Sequence, residues 1–147
     1  MFNIRIIALI LSIQFVAGCT VNATHENKME RKQYHSWEKD IGYSQVVRVG
    51  NVLHVSGVIS DANTFDEQLQ SIYSEIEKIL ADYGASTANI FKETIYTTDM
   101  SLLRAAIPLR KKHYPKELYP SSSWVQVTQL FSPQVMLEVE VTVQLPF

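Results

Sequence analysis

The sequence predicts an α+β domain in which two helices cover one face of a single β-sheet. Three features support this class: two β-branched runs joined by a two-residue turn, a capped amphipathic helix, and a final strand of alternating residues. The predicted order is β-β-α-β-α-β-β, and both helices bury their apolar stripes on the sheet. The opposite face carries Val, Thr, Gln and Glu, a mixture that we expect to pack against copies of the same chain.

The first half of the domain is marked by a turn and a cap. Gly50-Asn51 joins the runs 46–49 and 52–55 and favours the positive φ angles of a hairpin. Thr64 and Glu67 have the spacing of a capping box. Apolar residues then recur at helical spacing up to Gly84, a residue suited to a left-handed helix end; they are Leu69, Ile72, Ile76, Ile79, Leu80 and Tyr83.

The second half alternates between strands and one helix. Residues 89–97 predict a strand, and residues 101–114 predict a helix that Pro108 kinks or delays. Two further strands are predicted at 124–130 and 135–145. The last one places five apolar residues on one face and polar residues on the other.

The N-terminus has the layout of an exported protein. Residues 1–18 resemble a secretory signal peptide, with Arg5 ahead of a short apolar run. The run 16–19 (VAGC) resembles a bacterial lipobox, which implies that Cys19 is acylated and anchors the chain to the cell envelope. A plain signal peptide with an incidental cysteine is the alternative. Thr20 favours the outer membrane, residues 19–40 are predicted to be a polar tether, and the domain is predicted to span 41–147.

Composition excludes several classes of function. The net charge is −2, with no basic block of the kind that nucleic-acid binding requires. The sequence contains no glycine-rich phosphate loop. The histidines lack metal-ligand spacing; they are His25, His35, His54 and His113. We therefore expect no metal, no cofactor and no nucleic-acid partner.

Four stretches, taken together and in order, are similar to one family. They are GYSQ at 42–45, VSGVI at 55–59, KETIYTTDM at 92–100 and LEVEV at 137–141. The chain resembles the RidA (YjgF-type) family of reactive-intermediate deaminases. The resemblance implies a chorismate-mutase-like mixed sheet with two helices on one face. It also implies a homotrimer with three intersubunit clefts.

The same resemblance implies a reaction and its residues. Active members hydrolyse imines and enamines, such as 2-aminoacrylate, to a keto acid and ammonia without a cofactor. By position, Glu138 would orient the attacking water and Tyr43 would line the cleft. Backbone groups at Ser56-Gly57 would complete it.

The chain departs from the family where the substrate carboxylate is bound. The family has an Arg in a P-x-R-S segment, whereas here Ser122 takes that position between Ser121 and Ser123. Trp124 replaces a small residue, and Ile107 replaces a polar one. A guanidinium binds a carboxylate through two charge-assisted hydrogen bonds, each worth roughly 1.5–3 kcal/mol, which a serine cannot reproduce. Arg104 or Arg110 could supply the charge instead.

Three functions are compatible with this pattern. The chain is a small-molecule binding protein without efficient deaminase activity, or a deaminase for altered substrates such as neutral or cationic imines. The third alternative is a non-enzymatic interaction scaffold in the envelope. The missing Arg favours the first, retained Glu138 favours the second, and the lipid anchor with its tether favours the third.

Overall fold

The computed structural model describes residues 28–146, which form one six-stranded sheet with helices. The predicted signal peptide and Cys19 lie outside these residues. The spatial order of the strands is β1-β2-β3-β6-β4-β5. The strands are β1 Met29–Lys32, β2 Val46–Val49, β3 Val52–Ile59, β4 Ile90–Thr97, β5 Ser121–Gln126 and β6 Leu137–Gln144; the helices are α1 Ser36–Ile41, α2 Phe65–Ala81, α3 Met100–Ala105 and α4 Ile107–Lys111. Only β4 and β5 pair in parallel, so the sheet is mixed.

The hairpin and the long helix form where local chemistry predicts them. Gly50 has φ 60°, the left-handed conformation that the β2–β3 turn needs. At the start of α2, Thr64 accepts a hydrogen bond from the Glu67 amide while the Glu67 carboxylate accepts one from the Thr64 amide. Gly84 has φ 66° just beyond the end of α2. These local predictions are confirmed.

The second predicted helix is two short helices, α3 and α4, which meet at Ala106. Asp99 caps α3 by accepting hydrogen bonds from the amides of Ser101 and Leu102. Pro108 lies in the first turn of α4, where a missing amide proton leaves no intrahelical bond unmade. The break predicted from Pro108 is confirmed, because the chain restarts a helix there.

Strand β5 lies three residues earlier than predicted, at Ser121–Gln126 instead of 124–130. Its backbone pairs residue by residue with β4, from Lys92 opposite Ser121 to Thr97 opposite Gln126. Serine is not among the residues that are enriched in strands, so the sequence predicts the start of this strand only at Trp124. The available edge of β4 decides the pairing instead. By contrast, β6 alternates as the sequence predicts.

Residues 29–40 of the predicted tether contain strand β1 and most of helix α1. Strand β1 pairs antiparallel with β2, and α1 follows it. Asp82 at the end of α2 holds this segment, because it pairs with Lys32 and accepts a hydrogen bond from the Tyr34 hydroxyl at 2.9 Å. All four β1 residues are exposed, so β1 is a polar edge strand without the alternation that a sequence pattern can reveal.

The two faces of the sheet differ in what covers them. On the helix face, buried residues of β3, β4 and β6 pack against α2, α3 and α4; Leu53, Ile95, Leu137 and Val139 are fully buried there. On the open face, Thr94, Tyr96, Glu138 and Glu140 remain partly accessible. The α+β fold with helices on one face is therefore confirmed. Between residues 28 and 146 no helix is long and apolar enough to cross a membrane.

Candidate functional site

The predicted site residues fall into two groups on opposite faces of the sheet. Tyr43, Ser56, Gly57 and Glu138 line one pocket of about 480 Å³ on the open face, together with Trp37, Ile41, Ile59 and Phe131. We call it the Glu138 pocket. Ser122 and Trp124 point to the helix face at the β5 edge, and Ile107 begins α4 on that side.

A β-bulge brings Glu138 against the backbone of β3. The register between β3 and β6 shifts between Val55 and Val58, and the bulge contains Ser56 and Gly57. A Cβ on Gly57 would lie 1.8 Å from Oε1 of Glu138. Glycine is therefore required for the observed position of the carboxylate.

Hydrogen bonds to the neighbouring loop hold the bulge in place. The Ser56 hydroxyl donates to the Ser44 carbonyl at 2.9 Å, and Gln45 Nε2 donates to the Ser56 carbonyl at 2.9 Å. The Ser56 hydroxyl proton is thus committed to the backbone. Ser56 shapes the pocket more than it offers a donor to a ligand.

Tyr43 is placed by α1 and by a buried carboxylate. Glu38 of α1 is fully buried and accepts hydrogen bonds from the amides of Tyr34, His35 and Gln45. The Tyr43 amide donates to the Glu38 carbonyl at 3.0 Å. The chain therefore turns directly from α1 into the pocket wall. The rings of Trp37 and Tyr43 lie 5.8 Å apart.

The electrostatics of the Glu138 pocket are negative. Burial, followed by the nearby charge of Glu140, raises the pKa of Glu138 above its ordinary value. Burial also raises the pKa of the Tyr43 hydroxyl, with smaller contributions from Glu38 and Glu138. Within residues 28–146, no lysine, arginine or histidine forms an ion pair with Glu138. A carboxylate in this state can accept or donate a proton.

On the helix face, a second glutamate has the opposite surroundings. Glu93 of β4 is fully buried and accepts hydrogen bonds from four side chains, which we call the Glu93 cluster. The donors are Tyr73, Arg110 (Nε at 3.0 Å), Tyr114 (2.5 Å) and Ser122 (2.7 Å). Burial, followed by the charge of Glu93, raises the pKa of both Tyr73 and Tyr114, so these phenols stay protonated donors.

Of the two candidate arginines, Arg104 and Arg110, Arg110 is the one that lies near Ser122. Arg110 lies at this position, buried, with its guanidinium bound to the same Glu93 oxygen that accepts from Ser122. Arg104 is exposed on α3. Arg110 is one of the two arginines that the sequence offers at this position, whereas its partner Glu93 is not predicted. The signal was available: Glu93 shares the buried face of β4 with Ile95, and a charge there requires a partner.

The row of serines is divided between the two faces. Ser122 donates to Glu93 and accepts a hydrogen bond from Trp124 Nε1 at 2.8 Å. The indole of Trp124 lies 5.6 Å from the Arg110 guanidinium. Ser121 and Ser123 face the other side, where Ser123 accepts from Lys92 at 2.8 Å. Trp124 therefore closes the Glu93 cluster from the β5 edge.

One chain does not bring Glu138 and Ser122 together. Glu138 pairs in register with Tyr96 of β4, and Tyr96 pairs with Val125 of β5. Glu138 and Val125 thus share the open face, whereas Ser122 lies on the helix face. In the part of the chain that the structure describes, no three acidic, His or Cys side chains are placed to hold a metal ion.

The fold and the Glu138 pocket define a class of small α+β proteins with a pocket on the open face of the sheet. The Endoribonuclease L-PSP family model matches residues 35–145, and the chain belongs to this RidA/YjgF family. A RutC family protein of Buchnera aphidicola is 32% identical over 103 residues, covering 65% of this chain and 82% of the relative. A RutC family protein of Pyrococcus abyssi is 31% identical over 111 residues, covering 69% and 86%.

Solved structures agree on the fold. Rv2704 of Mycobacterium tuberculosis, a member of the YjgF/YER057c/UK114 family, superposes with a TM-score of 0.74 at 28% identity and covers 80% of this chain and all of its own. NMB1025 of Neisseria meningitidis, a YjgF family member, has the same TM-score at 19% identity, with coverage of 84% and 99%. The second match supports the fold alone.

Proposed function

We propose that this protein binds a small molecule in clefts between the subunits of a homotrimer, without efficient deaminase activity toward imines that carry a carboxylate. The observation that carries the proposal is the Glu93 cluster. The guanidinium nearest to Ser122 is already bound to a carboxylate of its own chain. A substrate carboxylate would have to displace Glu93 from four donors, which is unfavourable because a buried charge without a partner is costly.

The intersubunit cleft is proposed from the separation of the two groups. The Glu138 pocket opens on one face, and Ser122 with Trp124 lies at the β5 edge on the other. Among the described strands, β5 pairs with β4 alone, so its other edge is left without a strand of residues 28–146. A trimer in which that edge approaches the Glu138 pocket of the next subunit would complete the site. A trimer mass in analytical ultracentrifugation tests this arrangement, and a monomer mass contradicts it.

We also propose that the protein works at the bacterial cell envelope, attached through acylated Cys19. The lipobox-like run 16–19 supports this location. Labelling of cells with a radioactive fatty acid should mark the wild-type chain and not Cys19→Ser. Equal labelling of both chains would contradict the proposal.

A second candidate function is hydrolysis of imines or enamines that lack a carboxylate. It is favoured by Glu138, whose raised pKa and position beside Gly57 suit a group that moves a proton to or from water. Its products would be a carbonyl compound and ammonia. An imine panel assayed with wild type and Glu138→Gln tests it: equal rates for the two proteins on every imine would rule it out.

The decisive assay for the main proposal uses the full chain in mild detergent with 2-aminoacrylate. We expect no acceleration above the uncatalysed rate. Hydrolysis as fast as that of an active RidA-type deaminase assayed in parallel would overturn the proposal.

A matched pair of variants tests whether Glu93 is the reason for the expected lack of activity toward a carboxylate imine. Ser122→Arg alone should not create activity, because Glu93 lies within hydrogen-bond distance of position 122 and would bind the new guanidinium. Glu93→Gln with Ser122→Arg should gain activity toward the carboxylate imine, because the new guanidinium has no anionic competitor. Equal activity of the single and double variants would show that Glu93 does not close the site.

A further inference from the structure

The Glu138 pocket combines a carboxylate with an aromatic rim. Trp37 and Tyr43 form one wall, and Phe131 stands at the mouth with 73% of its surface exposed. Resting on the small-molecule binding proposed above, we propose that the ligand of this pocket is an organic cation, such as an amine or an amidine, carried on an apolar body.

The charge at the Glu138 pocket favours a cation. Among residues 28–146, the pocket lining contains one carboxylate, Glu138, and neither lysine nor arginine. Glu140 lies close enough to raise the pKa of Glu138, so a second negative charge acts on the same space. A cation entering the pocket is attracted by both carboxylates, and an anion is repelled by both.

The surroundings of the Glu138 carboxylate also favour a cation. Glu138 is half-buried, and in residues 28–146 no basic side chain pairs with it. By contrast, Glu93 on the adjacent strand β4 has an arginine and three hydroxyls as partners. A ligand cation would supply to Glu138 the partner that the chain supplies to Glu93.

The aromatic rim is the third argument. Aromatic rings attract cations through the negative potential of their faces, and Trp does so most strongly. Trp37 is 44% exposed and Ile41 54% exposed beside the pocket, so a contiguous apolar surface surrounds the carboxylate. Such surfaces mark ligand sites in soluble domains. Rings plus one carboxylate suit a cation that is partly apolar.

The test compares three probes of similar shape and different charge: benzyltrimethylammonium, benzyl alcohol and phenylacetate. Binding to the full chain in mild detergent is measured by isothermal titration calorimetry, with pocket residues followed by NMR. We expect benzyltrimethylammonium to bind at least about tenfold more tightly than phenylacetate, with benzyl alcohol between them.

Variants assign the preference to named groups. Glu138→Gln should weaken binding of the ammonium probe by about tenfold and leave benzyl alcohol almost unchanged. Trp37→Ala and Phe131→Ala should each weaken it by roughly threefold to tenfold. Glu140→Gln is the matched control: it removes the same charge from the same strand and face, but Glu140 does not line the pocket. It should change affinity by less than about threefold.

Each other outcome overturns the inference. Phenylacetate binding as tightly as the ammonium probe would exclude a cation site, and so would ammonium binding that is unchanged in Glu138→Gln. Binding of none of the three probes would exclude it as well. The two proposals can be distinguished. A preference for phenylacetate without turnover of 2-aminoacrylate would contradict the cationic ligand but not the binding function. Rapid turnover of 2-aminoacrylate would contradict the binding function itself.

Discussion

Glu93 and Glu138 lie on adjacent strands of one sheet and face opposite sides. Glu93 points from β4 into the helix layer, where four side chains from α2, α4, the following loop and β5 donate to it. Glu138 points from β6 to the open face, where Gly57 leaves room for its carboxylate and aromatic rings surround it.

The two glutamates differ in whether the chain itself supplies a basic partner for the carboxylate. The chain itself satisfies Glu93, so that carboxylate links the helix layer to the sheet and is paired with the Arg110 guanidinium. The described part of the chain leaves Glu138 without a basic partner, so the charge of Glu138 is available to a partner outside this chain. Ser122, the residue predicted from the family resemblance to lie at the substrate-anchoring position, contacts Glu93 and not Glu138.

The largest expected effect is the loss of the Glu93 partner. Arg110→Met leaves a fully buried carboxylate with hydroxyl donors alone, so the free energy of unfolding should fall by about 3–5 kcal/mol in urea denaturation. Glu138→Gln should change it by less than about 0.5 kcal/mol, since Glu138 has no ion pair to lose.

A double variant controls for packing. Arg110→Met combined with Glu93→Leu removes both charges and should recover most of the lost stability, because apolar replacements of a buried ion pair are commonly tolerated. Wild-type stability of Arg110→Met alone would show that the Glu93 cluster does not stabilise the fold.

The next effect concerns the bulge of the Glu138 pocket. In Gly57→Ala the new methyl group would lie on the Glu138 carboxylate, which must rotate away. We expect a cost of about 1–2 kcal/mol in urea denaturation and loss of ammonium-probe binding. Glu138→Ala should restore the stability of Gly57→Ala but not its binding. Normal probe binding by Gly57→Ala would contradict the observed position of the carboxylate.

A smaller effect separates neighbouring serines. Ser122→Ala removes a hydrogen bond to Glu93 and one from Trp124, and should cost about 1 kcal/mol. Ser123→Ala is the matched control. It loses one exposed contact with Lys92 and should cost less than about 0.5 kcal/mol. Equal costs in thermal or urea unfolding would show that Ser122 belongs to the surface, not to the cluster.

The smallest effect is a pH dependence. The folded state raises the pKa of Glu138 above its ordinary value of 4.5, so it binds this proton more tightly than the unfolded chain does. That contribution to stability is present below pH 4.5 and is lost as the pH rises through the folded pKa. The stability of Glu138→Gln relative to wild type should therefore increase from pH 4 toward neutrality. A difference that stays constant with pH, or falls, would contradict the raised pKa.

The pocket could be anticipated from sequence better than the cluster could. Tyr43, Ser56-Gly57 and Glu138 were grouped by family resemblance, and the structure places them in one pocket, although their roles remain predictions. Trp37 and Phe131 were missed, because an aromatic residue in a polar segment or a connection carries no periodic signal. Arg110 was one of two candidates, and Glu93 was missed entirely.

The sequence by itself determined the elements whose causes are local: the turn at Gly50, the cap at Thr64, the helix restart at Pro108 and the alternation of β6. Each depends on residues within a few positions of one another. Only the tertiary structure decided that polar residues 29–32 form a strand, that three serines pair with β4, and that Arg110 binds Glu93. Those outcomes depend on contacts between segments distant along the chain, which available strand edges and buried charges select and which no local pattern records.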